Sequence, residues 1–337
     1  MATVLAVVGL AFAPPSPSNA STRQVHVASP SGLAVSGSQL WVANGFTNVT
    51  SLVSDSVGEF NVTTGRPTRI VSLAHVTSNY TGPSAIAVDR ADVWVTDPSS
   101  DSVVEINKFT GVVVRVVTPG AGQFFRPYAL AVADAHVWVA NIRNNSLSEL
   151  SAVTGSLIRV IRGGAYAFNQ PFDMVSSGSR LWVMNDATGD PITELNAATG
   201  ALIRVFNAKA DAFGQFAMAV DGPHLWVTRW ATNEVVELAA SSGAVVRVVK
   251  FSRRTRFSGP TTIAAGGGRV WVTNVNKVVM LKEASGAIVR ILRAPGYRFN
   301  EPAEIVTSGP HVFVANARGN SVTELRSANG SLLRVIK

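Results

Sequence analysis

Residues 181–206 read LWVMNDATGDPITELNAATGALIRVF, and the features of this stretch recur along the whole chain. An aromatic residue among aliphatic ones recurs with spacings of 53, 44, 44, 44, 45 and 42 residues, at Trp41, Trp94, Trp138, Trp182, Trp226, Trp271 and Phe313. A turn glycine recurs in step with it, at Gly65, Gly111, Gly155, Gly200, Gly243, Gly286 and Gly330. The chain therefore contains seven copies of one unit, with a period typical of propeller blades.

Each unit divides into four short segments that favour strands. In the fourth copy they are 173–176, 181–184, 192–195 and 202–206, rich in β-branched, aromatic or aliphatic residues and bounded by turn formers. None has the length or the periodicity of a helix. Seven such sheets packed radially bury both faces and protect their edges. We predict an all-β chain, a seven-bladed β-propeller of four-stranded antiparallel blades, with strands A to D running outward from the central channel.

Charged residues give a second periodic signal. An arginine lies four residues after each turn glycine, at Arg69, Arg115, Arg159, Arg204, Arg247, Arg290 and Arg334. A glutamate lies six residues before the glycine in six copies, at Glu59, Glu105, Glu149, Glu194, Glu237 and Glu324, while Met280 stands there in the sixth. We expect these residues to pair across strands C and D, the alternative being a ring of ligand-binding arginines. Arg290 should then have a different partner or none.

The N-terminus differs from the repeats. An apolar run at Val4–Ala13 leads to small residues at Ser18 and Ala20, as in a signal-peptide cleavage site, although no Lys or Arg precedes the run. The run is too short to span a membrane. We predict that residues 1–20 are an export signal, removed or disordered in the mature protein. Residues 21–337 should form a single propeller domain, secreted or in the cell envelope, without a transmembrane segment and monomeric.

The chain has no cysteine, which excludes disulfides and thiolate metal sites. Arg23–Ser29 is similar to the end of a strand D. We expect this segment to add a strand to the seventh blade and so to pin the closure of the ring.

The strand B segments carry a family resemblance. Leu40-Trp-Val-Ala-Asn44, Val93-Trp-Val-Thr-Asp97 and Val270-Trp-Val-Thr-Asn274, with the Thr-Gly turns that follow, resemble YVTN-type β-propeller repeats over nearly the whole mature chain. Related propellers include NHL-repeat proteins, gluconolactonase-type enzymes and virginiamycin B lyase. The resemblance to that lyase implies His and Glu converging on a metal at the channel mouth, and the sequence offers no such set. The resemblance therefore predicts the fold and leaves the function open.

Few residues suggest catalysis. His136, His224 and His311 share one repeat position before the strand B aromatic, one per blade, which favours a structural role over metal ligation. Asp173 and Glu304 share another position, two residues after the proline that opens strand A. With Asp97 they are the candidate ligands for a hard divalent cation such as Ca²⁺. We predict no other cofactor.

Polar residues end strand B in every copy and are either turn formers or ligand contacts, at Asn44, Asp97, Asn141, Asn185, Arg229, Asn274 and Asn316. Arg229-Trp230 breaks the Asn pattern, and we expect an exposed pair at the propeller mouth. These residues should lie on the face where the B–C loops within blades meet the D–A loops between blades. We call it the top face.

Net charge gives the last signal. The chain carries a formal charge of +8, and much of the excess falls in top-face loops, at Arg126, Arg143, Arg162, Lys209, Arg253, Arg254, Arg256, Arg293, Arg298 and Arg318. Aromatic residues are interleaved there, at Phe124, Phe125, Phe168, Trp230, Phe257 and Tyr297. Such a face attracts polyanions, although an exported protein can also be basic for general reasons. The D–A loops also repeat an aromatic-x-x-Pro motif, which we expect to plug the space between blades. Its aromatic residues are Tyr80, Phe124, Phe168, Phe257 and Phe299, and the fifth copy has Phe213 without the proline.

We therefore expect a non-enzymatic binding propeller whose partner is an anionic polymer, either nucleic acid or acidic polysaccharide, or another protein. The candidate ligand contacts are Arg126, Asn141, Asn185, Arg229, Trp230, Arg253, Arg254, Arg256, Asn274 and Arg298. The alternative is a metal-dependent enzyme of the lactonase or lyase type, with Asp173, Glu304 and Asp97 at the channel mouth. A scaffold role is a third hypothesis.

Overall fold

The structure is a computed structural model, which describes residues 27–45, 55–73, 82–118, 120, 123–186, 191–207, 214–252, 255, 257–293 and 295–337. Their strands form seven four-stranded antiparallel sheets. A 3₁₀-helix at Gly164–Tyr166 is the one helical element of these ranges. They contain no helix long and apolar enough to cross a membrane.

The strands follow one another in chain order. The first four blades comprise β1 (Pro30–Ser36), β2 (Gln39–Asn44), β3 (Ser56–Asn61) and β4 (Pro67–Ser72); β5 (Ile86–Val88), β6 (Asp92–Asp97), β7 (Ser102–Asn107) and β8 (Val113–Val117); β9 (Pro127–Ala133), β10 (His136–Asn141), β11 (Ser146–Ser151) and β12 (Leu157–Ile161); and β13 (Pro171–Ser177), β14 (Arg180–Asn185), β15 (Pro191–Asn196) and β16 (Leu202–Asn207). The last three comprise β17 (Gln215–Asp221), β18 (His224–Arg229), β19 (Glu234–Ala239) and β20 (Val245–Lys250); β21 (Ile263–Gly266), β22 (Arg269–Thr273), β23 (Lys277–Lys282) and β24 (Ile288–Arg293); and β25 (Pro302–Ser308), β26 (His311–Asn316), β27 (Ser321–Arg326) and β28 (Leu332–Ile336).

The first strand of each blade lies innermost. Each of these strands contacts the first strand of both neighbouring blades, and β1 contacts both β5 and β25, so the ring is closed. Within a blade, hydrogen bonds link the strands in simple order from the first to the fourth. The predicted seven-bladed β-propeller is therefore confirmed.

The recurring aromatic residue joins each blade to the next. Trp41 packs with Val93 and Val95 of the second blade, and Phe313 of the seventh packs with Leu33 and Phe60 of the first. All seven aromatic side chains are at most 1% exposed. Because a sheet of this kind needs cover on both faces, these contacts provide much of the hydrophobic stabilisation and close the ring.

The predicted N-terminal strand lies largely outside the described residues, which begin at Val27. Val27 and Ala28 are buried but belong to no strand, and the described part of the seventh blade has four strands. Val27 packs against side chains of the first and seventh blades, including Phe60 and Ile336. The Ser29 N–H also donates to Asn320 Oδ1 of the seventh blade, at 2.8 Å. In the described part, the N-terminal residues therefore join the first and seventh blades through side-chain packing and this bond rather than as a fifth strand.

The repeated glutamate and arginine form the expected cross-strand pair. Glu149 faces Arg159 in register, and Arg159 Nε lies 2.6 Å from Glu149 Oε2. Each of the six glutamates is at most 2% exposed. In three blades a histidine lies beside the second carboxylate oxygen, with His136 Nδ1 2.7 Å from Glu149 Oε1. The pairs and these histidines are therefore structural.

The arginine also links neighbouring blades. Arg159 Nη1 donates to the Thr199 carbonyl in the turn of the next blade, at 2.6 Å. Arg334 of the seventh blade donates to Thr63 of the first, at 2.7 Å, so this link also closes the ring. Arg290, opposite Met280, has no carboxylate partner among the described residues, and its Nη1 donates to the Asn329 carbonyl at 2.8 Å.

Substitution of Gly111 by alanine should reduce the free energy of unfolding by about 1–3 kcal/mol. The φ of Gly111 is +71°, and an added Cβ would lie 2.6 Å from Arg69 Cδ of the preceding blade. Gly178→Ala is the matched control, because its φ is +54° but nothing lies within 4 Å of the added Cβ. Denaturant unfolding of both variants measures the difference. Equal losses of stability in the two variants would show that the packing of Arg69 does not require a glycine at position 111.

Candidate functional site

The top-face loops are held by a hydrogen bond that recurs between the B–C and D–A loops. The residue after strand B donates its N–H to the carbonyl of the residue before strand A. Ile142 bonds Arg126 at 3.2 Å in the third blade, and Ala317 bonds Glu301 at 3.0 Å in the seventh. Equivalent positions in different blades therefore have equivalent geometry.

In four blades of the described part, a second recurring bond joins the B–C loop to the next blade. The residue before strand C has a positive φ, and its side chain accepts an N–H of the next D–A loop. Asp101 Oδ1 accepts from Arg126 N at 2.6 Å, and Asn145 Oδ1 accepts from Gln170 N at 2.8 Å. The sequence reasoning missed this clamp, although its signal is visible as Asp or Asn at one repeat position, Asp55, Asp101, Asn145, Asn233 and Asn320.

The polar ring at the ends of strand B is buried, with every member at most 4% exposed. Asn141 Nδ2 donates to Ser148 Oγ at 2.9 Å, and Asn185 Nδ2 donates to Thr193 Oγ1 at 3.2 Å. Asn274 Nδ2 donates to the Ser258 carbonyl at 3.0 Å. The structure therefore favours the alternative, a structural role for Asn141, Asn185 and Asn274, because their amide groups bond the protein's own strands and loops.

The Arg229-Trp230 pair is divided between interior and surface. Arg229 is 2% exposed, and its Nη1 lies 2.8 Å from Glu234 Oε2, so the expected exposed arginine is wrong. A buried guanidinium needs a paired carboxylate, which Glu234 provides. Trp230 is 53% exposed, as expected.

The aromatic residues of the D–A loops mainly fill space between blades. Phe124, Phe168, Phe257 and Phe299 are buried, which confirms the plug interpretation and corrects the expectation that Phe124, Phe168 and Phe257 lie on the surface. Tyr297 stacks on Phe299 with ring centroids 5.3 Å apart. Phe125 and Trp230 are the exposed members of the predicted aromatic set. Tyr80 and Phe213 lie outside the described residues.

The described top face carries several exposed arginines, and the exposed carboxylate of Asp186 lies on the same face. Arg126, Arg143 and Arg298 are exposed, and the ion pairs of the described residues include none of them. Arg318 pairs with Glu301, with its Nε 2.9 Å from Glu301 Oε2. The predicted contacts Arg253, Arg254 and Arg256, and also Lys209, lie outside the described residues.

A cleft of about 330 Å³ lies on this face between the third and fourth blades. It is lined by two arginines, three side-chain amides and one aliphatic residue, namely Arg126, Arg143, Asn145, Asn169, Gln170 and Ile142. The lining contains neither a carboxylate nor an aromatic ring. Its chemistry suits an anionic group surrounded by hydroxyls or other hydrogen-bonding groups.

Asp173 and Glu304 lie on innermost strands, surrounded by protein but partly exposed. Asp173 accepts from the N–H of Met218 at 2.7 Å and from that of Met174 at 2.9 Å. Burial raises the pKa of Asp173 to about 6, against the lowering effect of these two bonds. Burial also raises the pKa of Glu304 to about 8, against a bond from Ile305 N–H, and the charge of Asp173 adds to the rise.

The donor set does not fit the expected cation. Asp97 Oδ1 accepts from Ser99 N at 2.9 Å and so caps its own B–C turn. Both oxygens of Asp173 and one of Glu304 accept backbone N–H groups. Among the described residues, no group of three or more His, Asp or Glu side chains is placed to hold a metal ion. A hard cation takes 6–8 oxygen ligands, and the structure does not bring Asp97 together with the other two carboxylates.

No protein-family model matches the chain, and no curated protein sequence matches it. Solved structures do. Hydrazine synthase of Kuenenia stuttgartiensis superposes with a TM-score of 0.70 at 17% identity, covering 93% of this chain and all of that one. A streptogramin B lyase superposes with a TM-score of 0.65 at 14% identity, covering 87% of this chain and 92% of that one. Similarity at this identity establishes the propeller fold alone, and the two neighbours have different activities.

Proposed function

We propose that the protein is a non-enzymatic binding propeller that holds an acidic polymer on its top face. The observation that carries this proposal is the set of exposed arginines that have no carboxylate partner within the described ranges, Arg126, Arg143 and Arg298. They stand on loops fixed by recurring backbone bonds, so the charges are presented in a preorganised arrangement. The formal net charge of +8 attracts polyanions to the whole molecule.

The same proposal includes family and location. We assign the chain to the YVTN-type propellers because Trp-Val-Thr/Ala-Asn and the Thr-Gly turn recur in it. We place the protein outside the cytoplasm because residues 1–20, which lie outside the described ranges, have the pattern of an export signal. Its partner would then be an extracellular or envelope polymer.

Reversal of Arg253, Arg254 and Arg256 to glutamate should abolish binding of a polyanion such as polygalacturonate. Wild-type affinity should fall about tenfold or more between low and physiological salt, because bound counterions are released on association. The matched control reverses Arg66, Arg90 and Lys282, three exposed cations near the turns of the opposite face. Fluorescence anisotropy with a labelled polymer measures both. Equal losses in the two triple variants, or no binding by the wild type, would refute the proposal.

A metal-dependent lactonase or lyase is the second candidate. One observation favours it: Asp173 and Glu304 share the innermost layer and interact electrostatically. The donor set described above gives it less support. Metal analysis of the purified protein separates the two functions, since a stoichiometric divalent ion removed together with an activity would favour the enzyme.

A further inference from the structure

Two repeat positions on the top face carry a charge pair that differs between blades. The residue before strand A and the second residue after strand B are Glu301 and Arg318 in the seventh blade. In the third blade the same positions are Arg126 and Arg143. The same backbone bond links them in both blades, from Ala317 N to Glu301 O at 3.0 Å and from Ile142 N to Arg126 O at 3.2 Å.

The seventh blade shows how close the two side chains come. Arg318 Nε lies 2.9 Å from Glu301 Oε2, although both side chains are well exposed. In the third blade the same two positions carry arginines, and both residues line one cleft. The carboxylate that completes the pair in the seventh blade has no counterpart among the residues lining that cleft.

Backbone bonds fix the two positions that carry the third-blade arginines. Arg126 has a φ of 56° and Glu301 a φ of 49°, so the two positions share the same uncommon conformation. The Arg126 N–H is fixed by Asp101 of the preceding blade at 2.6 Å, and the Arg143 N–H donates to the Phe125 carbonyl at 3.3 Å. Two like charges held together repel unless an anion lies between them, and a planar guanidinium binds a carboxylate through two parallel hydrogen bonds.

We propose that Arg126 and Arg143 clamp a sugar carboxylate of an acidic polysaccharide, the ligand taking the place that Glu301 occupies beside Arg318. This inference rests on the proposed function and assigns its ligand class. The amides of Asn145, Asn169 and Gln170 line the same cleft and supply donors and acceptors for sugar hydroxyls. Nucleic acid suits the cleft less well, because single-stranded nucleic acid is held by aromatic stacking and no ring lines this cleft.

The test exchanges the residues that precede strand A in the third and seventh blades. Arg126→Glu should build the seventh-blade ion pair in the third blade and weaken binding of trigalacturonate by about tenfold or more. Arg66→Glu changes the net charge equally on the opposite face and should leave binding unchanged. Glu301→Arg should create a second clamp, so titration calorimetry should give two sites instead of one. The double variant Arg126→Glu, Glu301→Arg has the wild-type net charge and should bind at one site.

Three outcomes bear on this inference alone, and a fourth bears on both proposals. Equal affinities of Arg126→Glu and Arg66→Glu, with polygalacturonate still bound, would overturn the clamp and leave the polymer-binding function standing. Binding of methyl-esterified trigalacturonate as strong as that of the acid would overturn the carboxylate assignment. A dependence on Arg126 for oligo-dT but not for trigalacturonate would assign nucleic acid instead. No binding of either polyanion by the wild type would refute both proposals.

Discussion

Replacement of Glu194 by methionine is expected to lower the free energy of unfolding by about 2–4 kcal/mol. Glu194 is fully buried, and its carboxylate pairs with Arg180 Nη1 and with Arg204 Nε, the latter at 2.7 Å. Arg204 also donates to the Ser241 carbonyl of the fifth blade at 2.6 Å. The substitution would leave two guanidinium groups without their carboxylate and loosen the link between blades. Both arginines are 26–38% exposed, so water offsets part of the loss.

The sixth blade supplies the matched control. Met280 occupies the glutamate position there, facing Arg290, and Arg269 opens strand B as Arg180 does in the fourth blade. Met280→Glu should therefore leave the free energy of unfolding unchanged or raise it by up to about 1 kcal/mol, because Arg269 and Arg290 can both pair with the new carboxylate. Guanidinium chloride unfolding at neutral pH measures both variants. A loss below about 1 kcal/mol in Glu194→Met would show that the buried pair contributes little to stability.

Glu304→Gln should stabilise the protein at pH 8.5 by about 2–4 kcal/mol and have little effect at pH 5. The pKa of Glu304 is about 8 in the folded protein, above its ordinary value of 4.5. Between these values the folded state retains a proton that the unfolded state releases, so stability falls as the pH rises. The partial exposure of Glu304 to solvent keeps the effect below that of the full pKa difference. Glutamine removes the ionisation and can still accept the Ile305 N–H bond.

The pH profile of unfolding distinguishes this effect from a general loss of charge. Glu301→Gln is the control, because it removes the same charge from an exposed ion pair on the top face. Asp173, with a pKa raised to about 6, should leave a residual pH dependence below that value in Glu304→Gln. A wild-type profile parallel to that of Glu304→Gln from pH 5 to pH 8.5 would contradict the prediction.

The sequence by itself determined the number of blades, the strand order and the Glu–Arg pairs, since each depends on a local pattern repeated at a fixed period. Trp182, Glu194 and Arg204 recur in step, and residues recurring in step occupy equivalent positions in equivalent sheets. The one exception, Met280, was also readable, because it interrupts the pattern that the other six copies define.

Only the tertiary structure decided which polar residues face solvent. Asn141, Asn185 and Arg229 have the composition of ligand contacts, but they are buried because B–C and D–A loops fold over them. The placement of Arg126 and Arg143 beside one cleft was equally hidden, since strands A and B separate them in the chain and backbone bonds between loops bring them together. A period in the sequence fixes what lies within one blade, whereas exposure and charge at the top face depend on how loops from adjacent blades meet.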